Sequence, residues 1–101
     1  MRRRFVIGAD PLTPSQGKQL REYLAKGDGL WWNWIHNLWL YTTKDSEVSA
    51  EKITDFILGL NSDARIIVLE FPADIDWVTS GSTNAQGKHI SDWLKDIWKN
   101  D

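Results

Sequence analysis

Residues 30–43, LWWNWIHNLWLYTT, place four of the chain's seven tryptophans in one short run. A run this rich in rings is a helix or a strand according to the period of its apolar positions, and that choice constrains everything packed against it. Period two fits. Read as strand, Leu30, Trp32 and Trp34 point to one side and Trp31, Asn33 and Ile35 to the other. Beyond His36-Asn37, Leu38, Leu40 and Thr42 alternate with Trp39, Tyr41 and Thr43. Asparagine tolerates positive φ, so His36-Asn37 can close a hairpin, although the pair lacks the glycine of a decisive Asn-Gly turn; one long bent strand is the competing arrangement. Either way the segment belongs to a sheet and its rings are divided between two faces.

The flanking sequence supplies the rest of the sheet and its cover. Residues 3–9 carry Phe5, Val6 and Ile7 in a short apolar run bounded by Gly8 and Asp10-Pro11, the pattern of a buried strand. Thr13-Pro14-Ser15-Gln16 combines an N-cap, a proline at the first helical position and a glutamine three residues on, which predicts a helix over residues 14–26 ended by Gly27. Ser49 caps a second helix whose Ile53, Phe56, Ile57 and Leu60 recur at helical spacing. Residues 65–71, RIIVLEF, read as a last strand stopped by Pro72. Residues 79–86 are small and polar, a predicted mobile loop, and Ile90, Trp93, Leu94, Ile97 and Trp98 form an amphipathic C-terminal helix over 87–99.

Strand, helix, two strands, helix, strand is the order of a ferredoxin-like βαββαβ sandwich, here α+β with an extra C-terminal helix in a single domain over 1–101, its core at 3–78. Two helices cover one face of such a sheet. Residues 66–69 are apolar on both faces, so the second face also needs a cover, either the terminal helix or a second chain.

Composition narrows the function classes. There are no cysteines, which removes disulfides, thiolate zinc sites and cysteine nucleophiles and points to a reducing compartment. No apolar run approaches the roughly 18 residues of a membrane span, and the run after Arg2-Arg3-Arg4 is too short for a signal peptide, so a cytoplasmic protein with no membrane partner is expected. The formal charge of -2 is uneven: residues 1–30 hold six Lys/Arg against three Asp/Glu, and residues 31–101 hold six against eleven. That allows a small basic patch at Arg2, Arg3 and Arg4 that could touch phosphate, but not the basic footprint of a nucleic-acid-binding domain.

The residues Arg4-Phe5-Val6-Ile7-Gly8-Ala9-Asp10, then Leu30-Trp31-Trp32 before Asn37-Leu38-Trp39-Leu40, then residues 49–57 and 65–70, resemble the small proteins similar to the CRISPR-associated protein two family. The resemblance covers roughly residues 3–78. It implies a ferredoxin-like domain, a homodimer, and, in nuclease members, a divalent metal held by the aspartate that ends the first strand of each protomer. Asp10 matches that position, and two-fold symmetry would supply a second carboxylate to a hard Mg²⁺. Ala9 stands where nuclease members usually carry an aromatic residue, and Asn37 where serine or threonine is typical. Asp10 before Pro11 is also an ordinary strand-ending turn.

The candidate residues follow. Asp10 is the candidate catalytic and metal-binding group. Trp31, Trp32, Trp34, Trp39, Trp93 and Trp98 are divided between core and protein interface; Asp45, Glu47 and Glu51 close behind the aromatic run argue against a base-stacking platform, which needs positive charge. His36 and His89 have no carboxylates at metal-ligand spacing, and Asp74 and Asp76 read as a solvated pair. The expected function is a homodimeric, non-catalytic binding or assembly module with no cofactor. The alternatives are a Mg²⁺-dependent endonuclease using Asp10, and a phage- or plasmid-borne inhibitor of a nucleic-acid complex.

Overall fold

Strand β1 (Arg3–Asp10) runs through the middle of the sheet and is apolar on both sides because both sides are covered. Phe5, Ile7 and Ala9 project to one face and are 0–2% exposed, while Val6 packs into a second cluster on the other face. The computed structural model describes residues 2–80 and 90–99. Residues 81–86 of the predicted loop, residues 87–89 of the predicted terminal helix and the side chain of Trp34 lie outside the described residues.

Four strands form one antiparallel sheet in the order β2-β3-β1-β4, with β2 (Leu30–Ile35), β3 (Leu38–Thr43) and β4 (Arg65–Phe71). Together with helices α1 (Pro14–Leu24) and α2 (Ala50–Leu60), this is the ferredoxin-like α+β arrangement that the element order predicts. β1 pairs with β3 from Arg3↔Thr43 to Gly8↔Leu38 and with β4 from Arg4↔Phe71 to Asp10↔Arg65.

Both helices lie on one face. Thr13 and Gln16 form the full capping box, with Gln16 N–H donating to Thr13 Oγ1 at 3.1 Å and Thr13 N–H to Gln16 Oε1 at 2.9 Å. Gln16 Nε2 also donates to the Leu60 carbonyl at 3.0 Å, fastening the start of α1 to the end of α2. Leu20, Leu24, Ile53 and Ile57 are fully buried against Phe5, Ile7, Trp39 and Tyr41, and Tyr23 stacks on Phe56 with ring centroids 4.0 Å apart. Helix α1 ends at Leu24, two residues before the predicted limit. Gly27 turns the chain at φ 62°, as its place after the helix predicts, and Gly29 then passes against the Leu24 carbonyl, so the helix cannot continue.

The aromatic run is a hairpin rather than one bent strand, turned by Asn37 at φ 65°. Strict alternation does not survive along β2. The register shifts between Trp32, opposite Leu40, and Ile35, opposite Leu38. Opposed residues share a face, so Ile35 stands on the side of Trp32 rather than that of Trp31. Asn33 fills this bulge: its Nδ2 donates to the carbonyls of Ile35 at 3.2 Å and Leu38 at 2.9 Å, and its Oδ1 accepts from Arg21 at 3.3 Å.

The middle of the second face is covered by the chain's own tail. Helix α3 (Ile90–Trp93) continues into a π-helical turn, Leu94–Trp98, closed by Lys99 N–H donating to the Leu94 carbonyl at 3.1 Å. Ile90, Trp93, Leu94 and Trp98 form a second core with Trp32 and Leu40, flanked by Val6, Leu38, Ile75 and Trp77. Asp74 and Asp76 are exposed, as expected of a solvated pair, while Ile75 and Trp77 are half-buried against the second core. No helix among the described residues is long and apolar enough to cross a membrane.

Asp28 ties the entry of β2 to the end of β3. Its carboxylate accepts from Lys44 N–H at 3.0 and 3.2 Å and from Thr43 Oγ1 at 3.2 Å. These bonds, led by the Lys44 amide, and the nearby Arg2 charge hold its pKa below the ordinary aspartate value. A carboxyl with a depressed folded pKa adds stability above its unfolded pKa and loses it as pH falls through the folded value. Asp28→Asn is therefore expected to lower the melting temperature at neutral pH and to flatten its decline below about pH 4, read by circular dichroism melts across pH. An unchanged acid limb would remove Asp28 as a contributor.

Candidate functional site

Asp10 ends β1 at an exposed position, followed by a cis bond to Pro11. The hairpin brings Asn37 to it, and Asn37 Nδ2 donates to Asp10 Oδ1 at 3.0 Å. Ala9 N–H donates to the Asn37 carbonyl at 3.1 Å, so the hairpin tip is pinned to β1 by backbone and side chain together. Arg65 stands opposite Asp10 in the register. Gly8, Ala9, Asp10, Asn37, Arg65, Ile66 and Ile67 border a shallow groove here. A separate hollow beside the start of α1 is bordered by Thr13, Arg21, Asn33, His36 and Trp39.

This corner bonds one carboxylate to an amide, with Arg65 across the register. Among the described residues, no group of three or more His, Cys, Asp or Glu side chains is placed to hold a metal. His36 is exposed at the hairpin tip, and His89 lies outside the described residues.

The arginine triad is tied into the fold. Arg3 makes a two-pronged pair with Glu70, Nε to Oε2 at 2.9 Å and Nη2 to Oε1 at 3.0 Å, and its Nη1 donates to the Val48 carbonyl. The hydrogen bond to Glu70 raises the Arg3 pKa above its already high ordinary value. Arg4 is 5% exposed; its Nε donates to the Trp98 carbonyl and its Nη1 to the Arg2 carbonyl at 2.7 Å. A cation on the last carbonyls of a helical segment also answers the negative end of its dipole. Arg2 donates to Thr42 Oγ1 at 3.0 Å. These side chains join β1 to α2's approach, to β4 and to the tail, and Arg2, Arg3 and Arg4 also border, with Lys99, one open hollow beside Glu70 and Phe71.

The tryptophans proposed for an interface are mostly core. Trp39 fills the helix-side core, and Trp32, Trp93 and Trp98 fill the tail-side core, each no more than 4% exposed. Trp31 is half-buried, with the Arg21 guanidinium 5.7 Å from its ring centroid. The indole N–H groups of Trp32, Trp39 and Trp98 are buried with no hydrogen-bond partner among the described residues. Magnitudes explain why they stay buried: an indole removes roughly 150–250 Å² from water, about 4–6 kcal/mol, against about 1–3 kcal/mol for the unmade bond.

What remains in water is a different set. Ile67 is 58% and Leu69 43% exposed on β4, on the tail side of the sheet but outside the terminal helix's cluster, and Leu30 (42%) and Ile35 (55%) are exposed on the same face of β2 at the opposite edge. Ile67 leans over Gly8, where an added Cβ would meet its Cγ2 at 3.2 Å. The only trace of this in the sequence is the two-faced apolar character of residues 66–69; how far the tail reaches across the sheet is a tertiary property. No protein-family profile, curated protein or solved structure matches the chain.

Proposed function

We propose that the chain is a non-catalytic assembly module that acts as a homodimer. The observation that carries this reading is the contrast between engaged polar groups and exposed apolar ones: Arg3 and Arg4 bind Glu70 and the tail, Asn37 holds Asp10, and Ile67 and Leu69 on β4, like Leu30 and Ile35 on β2, are left in water at the sheet edges. Apolar side chains exposed along sheet edges favour association over chemistry.

The competing reading is a Mg²⁺-dependent endonuclease resembling the CRISPR-associated protein two family, in which two Asp10 carboxylates share an ion. The exposure of Asp10 at a strand end is what that chemistry would use. The two readings part on metal binding. A divalent ion at a hundred times its Kd adds about 2.7 kcal/mol, which in a domain of this size raises the melting temperature by on the order of 10 °C. Millimolar Mg²⁺ or Mn²⁺ is expected to leave the melting temperature of the parent and of Asp10→Asn alike, and neither is expected to cut single-stranded RNA or duplex DNA. Cleavage by the parent that Asp10→Asn abolishes would overturn the assembly reading.

A further inference from the structure

The sheet has two edges, β2 and β4, and they are built differently. β2 is broken by the bulge between Trp32 and Ile35, and Asn33 there takes up two carbonyls with its side chain. A bulge of this kind blunts an edge against further pairing. β4 pairs with β1 from Arg65 to Phe71 with no shift of register. It carries no proline or glycine before Pro72 and no charge from Ile66 to Leu69. Long, straight, uncharged edges are the ones that recruit another strand.

We propose that β4 is the seam of the homodimer, pairing antiparallel with β4 of a second copy to give one continuous eight-stranded sheet. The inference rests on reading the chain as an assembly module, and it names the partner and the register. Symmetry restricts the register. Directly opposed residues in an antiparallel pair lie on the same face, and a two-fold axis normal to the sheet keeps each face on its own side. Only residues an even number apart can then oppose each other, so one residue must face its own copy. Centring the axis on Val68 lets all seven residues of β4 pair, whereas centring it on Ile67 or Leu69 leaves two unpaired at one end.

With the axis at Val68, Ile67 faces the partner's Leu69, and Leu69 faces the partner's Ile67. The four exposed apolar side chains on this face of the two strands then cover one another, as cross-strand pairs do. Arg65 meets the partner's Phe71, a cation over an aromatic ring. Glu70 meets the partner's Ile66 while keeping its bond to Arg3 in its own chain, so no like charges are opposed. Since β4 is consumed and β2 is blunted, the assembly closes at two copies and does not propagate.

This geometry also fixes the relation between the two Asp10 groups. Asp10 lies opposite Arg65, three residues from the axis along the strand and one strand removed. From a strand rise of about 3.4 Å and a spacing of about 4.8 Å, the two copies of Asp10 stand roughly 25 Å apart, too far to share an ion.

The test is complementation. Ile67→Lys and Leu69→Glu alter exposed side chains, so both variants are expected to melt near the parent temperature. Each alone sets a charge against an apolar partner residue and is expected to weaken dimerisation by roughly 100-fold, read by sedimentation velocity over a concentration series. Mixing the two variants in equal amounts sets the new ammonium against the new carboxylate and is expected to restore a dimer, a rescue that general destabilisation cannot produce. A parent chain that stays monomeric, a dimer indifferent to both substitutions, or a mixture that stays monomeric would each overturn the seam. Metal-dependent cleavage would sink the assembly reading and leave the seam to be judged by these dimer measurements alone.

Discussion

Trp98→Ala is expected to cost about 3–5 kcal/mol of unfolding free energy and to release the tail from the sheet. Trp98 is fully buried in the tail-side core, among Trp32, Leu40, Trp93 and Leu94. The helical segment it belongs to is short, and helices of this length are not stable in water without a surface to pack on. Losing the largest anchor therefore removes more than its own contacts, since Trp93 and Leu94 depend on the same docking. Domains of this size have about 5–15 kcal/mol in total, so the variant should be marginal and not merely weakened. Equilibrium urea unfolding measures the loss. Tryptophan emission should shift to the red before the global transition as Trp32 and Trp93 meet water. The contrast is Trp31→Ala: that ring is half-buried, and its removal should cost far less. Equal losses for the two variants would mean that the tail contributes no cover to the sheet.

The same tail marks the boundary of what the sequence discloses. Local signals were legible because each is settled within a few residues: the capping box at Thr13 and Gln16, the Ser49 cap, and β4 stopped by Pro72. The hairpin turn at Asn37 was only half legible: asparagine allowed the positive φ, but one bent strand fitted the same letters. What was not legible depends on distant neighbours. The bulge in β2 exists because Asn33 can serve two carbonyls across the hairpin and accept from Arg21 on α1, and nothing in LWWNWI announces it. The early end of α1 depends on where Gly29 passes.

The candidate site divides along the same line. That Asp10 ends a strand could be read directly, but its bond to Asn37 required the hairpin to be folded back. The arginines are the sharper case. A run of three cations looks like a contact for phosphate when read along the chain, yet alternation along β1 sends Arg3 and Arg4 to opposite faces. Arg3 then meets Glu70 and Arg4 meets the Trp98 carbonyl, so two neighbouring residues fasten two different layers. Alternation along a strand gives neighbouring side chains different partners, although all three arginines still border one hollow with Lys99. The tryptophans obey the same rule, which is why Trp31 and Trp32 belong to different cores.

Gly29→Ala should be the most damaging single-methyl change in the chain, with an expected loss of about 3 kcal/mol or more. A Cβ at this position would lie 1.8 Å from the Leu24 carbonyl oxygen, 3.0 Å from its carbon and 3.1 Å from Tyr41 Cε1. The first two are backbone atoms at the end of α1, so no rotamer change relieves them; the helix end or the start of β2 has to move. Either movement is costly. Leu24 is fully buried beneath α1, and Tyr41 stacks on Phe5 with centroids 5.9 Å apart. Gly59 provides the control, because nothing lies within 4 Å of a Cβ there and it sits inside α2, where alanine is the better helix former. Gly59→Ala is expected to raise stability by about 0.5–1 kcal/mol while Gly29→Ala lowers it several-fold more, both read from urea midpoints at constant slope. Were Gly29→Ala as harmless as Gly59→Ala, the chain could not pass from α1 to β2 as close to the Leu24 carbonyl as it does, and the physical reason for the early end of α1 would go with it.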